Sequence, residues 1–386
     1  MTRLVVSPDE YDVIVIGGGP AGATAALELA RLGRSVVIIQ DIADYDWKIG
    51  ECLPPVAKRL FVSLNIWDDF LKDQHRPCYG ICSAWGSTDL YHQSFIFDPY
   101  GNGWQLHRKR FDEMLLSQAV SAGAVRYGAY AISTSKTDSN GWRIELESSD
   151  GRRSSLVARF AVDATGRRSW LARRQTVRRI SQDRLISLVG LIETGEATDL
   201  DSLITVEAVQ EGWWYSAHLP DSRRVAALMV DSDLQTIRSG EVRDYWLAQL
   251  QQTNHISRFT ASSNQHVLSV SPIVAANSSC LTAMSGASWL AVGDAAAAYD
   301  PLSSQGILTA MEMARAASKV IHRYLRGEVH ALEAYDAIVK RNFADYLGNL
   351  RLYYEMELRW PKSPFWRRRS SSAIFQRPAE AVESNA

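Results

Sequence analysis

Cysteine is scarce in this 386-residue chain: Cys52, Cys78, Cys82 and Cys280 are all it has. Four thiols without regular spacing make no disulfide framework, and they suit a reducing compartment, so the cytoplasm is the expected location. Cys78-x3-Cys82 has half the form of a metal site. No Cys or His pair of matching spacing completes it, so no metal is expected and buried thiols are the plainer reading. Net charge is also lacking, with 42 basic residues against 43 acidic ones. No whole-molecule field therefore draws the chain to nucleic acid or to an anionic membrane. No apolar run reaches bilayer-spanning length, and residues 1–11 hold no apolar signal core, so neither a membrane span nor a secretory signal is expected. No internal repeat of solenoid period occurs.

The chain does carry one well-framed glycine loop. Asp12-Val13-Ile14-Val15-Ile16 is an apolar, β-branched run that ends in Gly17-Gly18-Gly19-Pro20-Ala21-Gly22, and an alanine-rich stretch follows. Strand, tight turn and helix N-terminus come in the order that a dinucleotide site needs. Gly17 permits the turn, Gly19 lets the backbone approach a pyrophosphate, and Gly22 lets helix and strand pack closely. Pro20 and Ala21 open a helix whose free N–H groups and dipole hold phosphate. A second strand, Val36-Val37-Ile38-Ile39, ends at Gln40 and Asp41, where such folds grip a ribose hydroxyl. Gln40 is neutral but can donate or accept a hydrogen bond, and Asp41 is the alternative. No second G-x-G-x-x-G follows a strand anywhere in the sequence.

Hydrophobic residues at 46% and charged residues at 22% give a soluble-enzyme composition with room for a large core. Residues 10–40 read as β-α-β. A helix is expected over 111–122, then short strands at 124–127, 142–147 and 156–162 with hairpin turns between them. Residues 180–275 read as β-rich. A buried strand at 289–292 leads into a long helix from Gly306 to Leu325, and helix continues to about Arg359. The expected division is a discontinuous nucleotide domain of 10–75, 108–175 and 280–330, and a substrate lobe of 76–107 and 176–279. A C-terminal helical region of 331–369 and a disordered tail of 370–386 complete it.

Three segments in order resemble the glutathione-reductase-type FAD fold in its aromatic-hydroxylase branch: Gly17 to Gly22, then Asp163-Ala164-Thr165-Gly166-Arg167, then Gly293-Asp294 continuing to Asp300-Pro301-Leu302-Ser303-Ser304-Gln305-Gly306-Ile307. The fold implied is α/β, with Rossmann-like β-β-α layers, an interleaved mixed-sheet substrate lobe and C-terminal helices. FAD is the implied cofactor. Asp163, Gly166, Gly293 and Asp294 are implied contacts, with Pro301, Ser304, Gly306 and Ile307 facing the flavin at a helix N-terminus. Arg108 precedes Phe111-Asp112 in a pattern like the family's R-x-x-F-D, which implies an arginine reaching toward the cofactor.

Within that fold the chain is similar to the flavin-dependent tryptophan halogenases, through Gly50-Glu51-Cys52-Leu53-Pro54-Pro55, which resembles their G-E-x-x-x-P segment, and through the Asp300 to Gly306 loop. Two departures matter. The halogenase motif W-x-W-x-I-P meets Trp213-Trp214-Tyr215-Ser216-Ala217-His218-Leu219-Pro220, where the tryptophan spacing is broken. The halogenase lysine falls at Pro77-Cys78-Tyr79-Gly80-Ile81, which has none, Lys58 and Lys72 being out of register. The resemblance therefore implies a monooxygenase that hydroxylates an aromatic, indole-type group through a C4a-hydroperoxyflavin. Ser83-Ala84-Trp85-Gly86-Ser87, Gly103-Trp104-Gln105-Leu106-His107-Arg108, Gly212-Trp213-Trp214-Tyr215-Ser216 and Arg359-Trp360-Pro361-x-Ser363-Pro364-Phe365-Trp366 resemble a non-halogenating subgroup that includes flavoproteins maturing tryptophylquinone enzymes, which implies an aromatic small molecule or a tryptophan-bearing polypeptide as substrate. Electrons are expected from NAD(P)H docking transiently or from a separate flavin reductase. Halogenase, C=C reductase and non-catalytic flavoprotein chaperone are the rival readings.

Trp85, Trp104, Trp213, Trp214 and Tyr215 are the candidate pocket aromatics, of which two are expected to line it. Glu51 and His218 are the candidate catalytic groups. Glu51 has an alternative role capping a helix that starts near Pro54, and His218 one as an ordinary polar residue. Arg367-Arg368-Arg369 reads as a solvated cluster or a docking patch for an acidic partner.

Overall fold

The computed structural model describes residues 10–40, 48–138, 140–194, 202–235, 237–238, 240–260 and 267–370. Asp41 and the tail beyond Ser370 lie outside the described residues. The chain divides into two units. The first comprises residues up to His75, Leu106–Ile180 and Ser279–Phe343; the second comprises Arg76–Gln105, Ser181–Ser278 and the chain from Ala344 onward. The region 331–369 is thus divided between the two at Phe343.

The first unit is built on a parallel sheet. Its central strand β1 (Glu10–Ile16) is flanked by β2 (Val36–Gln40) on one side and by the strand Arg153–Asp163 on the other. Val125–Gly128 and Trp289–Ala291 extend the two sides, also in parallel. Val13, Ile14 and Val15 are fully buried, which is why β1 reads as one apolar run: a parallel strand is covered on both faces. The register sets Ile16 beside both Ile39 and Asp163, and Asp163 beside Ala291. The loops after four strands therefore emerge at one edge, bringing together Gly17, Gln40, Ala164 to Gly166, and Gly293. α1 (Pro20–Arg31) follows the first of these loops, and its apolar face packs under the sheet with Ala23, Ala25, Ala26 and Leu29 buried. The antiparallel strand Tyr130–Lys136 was not legible in the sequence, because its residues are largely exposed and carry no apolar alternation.

The second unit is a mixed sheet. Leu185–Glu193, Arg223–Asp231, Gly212–His218 and Leu203–Val209 pair antiparallel in that order. Gly80–Ala84 then joins in parallel, and Tyr91–Ser94 closes the edge. One face carries Trp214, Ala226, Leu228, Leu188 and Ile192, and it is covered by Trp246 of the helix Val242–Leu250. Among the described residues no helix is long and apolar enough to cross a membrane.

Candidate functional site

Sterics around the glycine loop define a phosphate cradle. Gly17 has φ +111°, and a Cβ there would collide with the Ala164 carbonyl. A Cβ on Gly22 would collide with the carbonyl oxygen of Gly17, so helix and turn touch backbone to backbone. At Gly19 a Cβ would meet nothing within 4 Å. Two glycines thus serve the protein's own packing, and the third faces open space at the start of α1. Gly19 is the N-cap of α1 and supplies no side-chain cap, while Pro20 occupies its first turn.

Gln40 ends β2 at the same edge. Its Oε1 is buried and has no hydrogen-bond partner among the described residues. An orphaned acceptor at the ribose position fits a sugar hydroxyl. The helix Gly306–Tyr324 also begins without a side-chain cap, behind a turn in which Asp300 Oδ1 accepts from Leu302 N at 2.8 Å and Ser304 takes φ +49°. Its first N–H groups and its dipole are left for an electron-rich ligand. Pro301, Gly306 and Ile307 sit in this turn and first helical residues, as the sequence implied.

Asp163 has a different task from the one expected. Its Oδ1 accepts from Thr165 N and Oγ1 at 3.1 and 2.6 Å, and its Oδ2 accepts from Leu171 N and Ala172 N at 2.8 and 2.9 Å. Both oxygens are engaged and the residue is fully buried. Asp163 therefore shapes the turn that carries Gly166 and caps the helix Trp170–Arg174, leaving nothing for a cofactor. Asp294 fits the expectation better: its carboxylate is 40% exposed and lies 3.7 Å from Arg167 Nε. The positive charges of Arg167, Arg179 and Arg108 favour its ionised form. Gly293 packs against Ala21 of α1, so this turn is joined to the cradle.

Arg179 was missed in the sequence. It donates to the Asp294 and Ala295 carbonyls, both at 2.7 Å, and so braces the Gly293 turn. Nothing in its local pattern marks it. Arg167 was legible only as the residue after Gly166, and it donates to Tyr299 O at 3.1 Å.

Arg108 does not reach outward. Nε and Nη2 bind the Asp112 carboxylate at 3.1–3.2 Å, and Nη1 donates to Ile49 O at 2.6 Å and Gly50 O at 2.9 Å. These contacts account for its five N–H donors. It is 8% exposed and clamps the segment that carries Glu51. Lys48 Nζ binds the far side of Asp112 at 2.8 Å. Glu51 itself is 4% exposed, its Oε1 has no partner among the described residues, and its pKa is raised to about 7, chiefly by burial. It caps no helix: the next one, Ala57–Ser63, follows Val56 with no side-chain cap.

The second unit sorts the other candidates. His218 is buried, with Nε2 2.9 Å from Thr194 Oγ1 and Nδ1 2.9 Å from Leu219 O, so both ring nitrogens serve the strand end rather than a reacting proton. Successive residues of Gly212–His218 point to opposite faces. Trp214 goes into the core against Trp246, ring centroids 5.4 Å apart. Trp213 goes the other way and donates Nε1–H to Tyr354 OH at 2.9 Å. Trp85 packs edge-on against Trp213, Tyr354 and Trp366, and its Nε1 donates to Tyr353 O. These three build the unit. Tyr215, half-buried on the Trp213 face with its OH 3.4 Å from Gln105 Oε1, and half-buried Trp104 are the two remaining lining candidates. Counted back from Pro220, the two tryptophan places of W-x-W-x-I-P are held by Tyr215 and Ala217.

A parallel sheet whose strand ends converge on a glycine turn, a buried unpartnered Gln40 oxygen and an uncapped helix has the form of a dinucleotide-binding α/β fold. Residues 10–344 match the family model described as an FAD binding domain, and the chain belongs to that family; FAD is its cofactor. It is 28% identical over 376 residues to LodB of Marinomonas mediterranea, described as an FAD-dependent oxidoreductase, across 95% of this chain and 99% of LodB. The structure of the myxobacterial chondrochloren halogenase CndH is similar with TM-score 0.84 and 26% identity, covering 94% of this chain and 86% of CndH. That of QhpG, a peptidyl tryptophan dihydroxylase essential for tryptophylquinone cofactor biogenesis, shares the fold at TM-score 0.79 and 24% identity, covering 94% of this chain and 79% of QhpG. Flavin-dependent halogenases are also among the relatives.

Proposed function

We propose that this oxidoreductase is a monooxygenase that hydroxylates an indole-type aromatic group, free or carried on a polypeptide. One observation carries the choice over halogenation. None of the eight lysines is buried: seven are exposed, and Lys58, half-buried, lies over the Trp67 ring at 5.3 Å. Lys72 is 74% exposed and paired with Asp69. A lysine that handles an oxidised halogen has to stand in a dry site, or water takes the halogen first. Loss of both tryptophans from the Tyr215–Pro220 register supports the same reading.

Bound FAD supplies a two-electron redox centre that can reduce dioxygen. The chain's residues do the rest. The amide N–H groups of Gly19, Ala21 and Gly22 would hold the pyrophosphate, and Gln40 would hold the ribose. The N-terminus of Gly306–Tyr324 favours the negative charge of the reduced state. Tyr215 and Trp104 offer aromatic surface to the substrate, and Tyr215 OH, tied to Gln105, sets the orientation of the ring. QhpG, by its name, takes tryptophan in peptidyl form, and its shared fold makes a tryptophan-bearing peptide the first substrate to test.

Aerobic turnover with a flavin reductase and NADH, on free indoles and short tryptophan peptides in labelled dioxygen, tests this. The expected product gains oxygen from dioxygen whether or not chloride or bromide is present. A halogenated product, or a gain of hydrogen alone, overturns the reading.

A further inference from the structure

We propose that the strand Tyr91–Ser94 is a docking edge, on which an extended segment of a tryptophan-bearing polypeptide adds as a further strand. The choice of occupant rests on the indole reading above; the strand addition itself is read without turnover.

The edge is open. Tyr91–Ser94 ends the second unit's sheet and pairs antiparallel with Gly80–Ala84 on its inner side. Among the described residues no strand pairs with its outer side, and all four of its residues are exposed. A Cβ on Gly80 would lie 3.2 Å from Ser94 Cα, and Phe95 N donates to Tyr79 O at 2.8 Å. The close approach and that bond make Gly80–Ser94 a pair without mutual hydrogen bonds, and Cys82–His92 is the next such pair. The backbone N–H and C=O of His92 and Ser94 therefore point outward, away from the neighbouring strand.

Open edges are usually guarded by lysine, proline or a bulge. Tyr91-His92-Gln93-Ser94 has neither lysine nor proline, and its register is unbroken. Apolar side chains stand there instead: Tyr91 is 71% exposed, and just beyond the strand Ile96 is 77% and Phe97 94% exposed. Such an edge suits a chain that binds through its main chain and rests alternate side chains on that surface.

Continuity with the candidate pocket selects the occupant. Tyr91 pairs with Ser83, Ser83 with Val206 and Val206 with Tyr215, so one row on one face of the sheet joins the edge to the tyrosine that offers surface to an indole. Ser83 and Val206, the side chains between the two tyrosines, are small and half-buried. Three strand spacings separate Tyr91 from Tyr215, about 14 Å, which about four extended residues span. A polypeptide can thus lie on the edge with one segment and present a tryptophan at Tyr215 with the next, whereas a free indole meets one end of the row. A second copy pairing edge to edge would join four residues from each partner, far short of the roughly 1,200 Å² that a stable dimer buries.

The experiment measures binding to the holoenzyme with oxidised FAD. The probe is a fluorescently labelled synthetic peptide with an alternating threonine–valine segment four residues from a tryptophan. Ser94→Pro removes one outward donor and leaves the inner ladder whole. It should weaken binding by about 2- to 10-fold, the worth of one hydrogen bond, while Ser94→Ala should not. Equal binding by wild type and Ser94→Pro, or no binding by wild type, overturns the proposal. So does a concentration-dependent wild-type dimer that Ser94→Pro abolishes, which would give the edge to a second copy. Should Ser94→Pro fold poorly, two peptides N-methylated at alternate amides of the threonine–valine segment decide with wild type alone. The one methylated on the side that faces the edge must bind more weakly, and equal affinities overturn the strand addition. Because no product is measured, a failed binding test leaves the hydroxylation reading standing, and a halogenated or reduced product leaves the docking edge standing.

Discussion

Burial raises the Glu51 carboxyl from 4.5 to about 7 and lowers the His75 imidazole from 6.5 to about 4, the latter with added repulsion from His107 and Arg110. The two shifts oppose each other in stability. Between pH 4.5 and 6.5 the folded state holds a proton on Glu51 that the unfolded chain lacks, so this contribution falls as pH rises. In the same window the unfolded chain binds a proton on His75 that the folded state refuses, so that contribution rises with pH. With the flavin kept oxidised, wild type should therefore show a nearly flat denaturation midpoint from pH 4.5 to 6.5. Glu51→Gln should gain stability with pH there, by up to about 3 kcal/mol. A flat profile for the variant would mean that the fold does not lower the His75 pKa, and parallel profiles for wild type and variant would mean that Glu51 is ionised in the fold. The sequence singled out Glu51 through the Gly50 to Pro55 segment but left its role open between a flavin neighbour and a helix cap. The roles of Arg108 and Asp163 were misassigned for a common reason. Motif position places a polar side chain near a ligand, but the partner that uses up its donors or acceptors comes from elsewhere in the chain.

Elements show what a pattern can and cannot carry. The β1–loop–α1 unit was readable in full, because each glycine answers a local steric demand, and the structure now separates those demands. Gly22→Val drives a branched side chain into backbone and should lower both flavin content and stability. Gly19→Val meets open space and should stay as stable as wild type without added flavin while losing FAD. Thermal melts with flavin content by absorbance test the pair, and a Gly19→Val protein that keeps full flavin would remove the pyrophosphate from this cradle. The strand Gly212–His218 was readable as a strand, yet the destination of each tryptophan depended on what covers each face. The basic run near the C-terminus was misread because its partners are distant in sequence. Arg369 is 4% exposed and binds Asp231 at 2.7 and 3.0 Å, and Arg368 binds Asp233 at 2.8 Å. This clamp ties the helix Pro364–Ser370 to the strand Arg223–Asp231 in place of a solvated or docking patch. Asp231→Ala strands a buried guanidinium and should cost about 3–5 kcal/mol by urea denaturation, and Asp231→Leu with Arg369→Met should recover most of it. A loss below 1 kcal/mol for the single variant would mean the pair is solvated.

For the molecule as a whole, the order of the three flavin segments was legible because the chain returns to one sheet edge three times. The split of the C-terminal region at Phe343 was not, since helical periodicity runs unbroken across it. The source of electrons is a question at this same scale. The chain has one G-x-G-x-x-G, and on the proposed reading the FAD pyrophosphate takes the helix N-terminus that follows it. The described strands of the second unit form a mixed sheet, without the parallel strand-loop-helix repeat that would preorganise a second pyrophosphate site. A nicotinamide dinucleotide would thus have to be held by contacts that are not set in advance, and ordering them subtracts from affinity. Anaerobic stopped-flow mixing should show slow flavin reduction that rises in proportion to NADH or NADPH without saturating at micromolar concentrations. A separate flavin reductase should accelerate it. Tight, saturable nicotinamide binding with fast reduction in the absence of substrate would place a second nucleotide site in this chain and make the external reductase unnecessary.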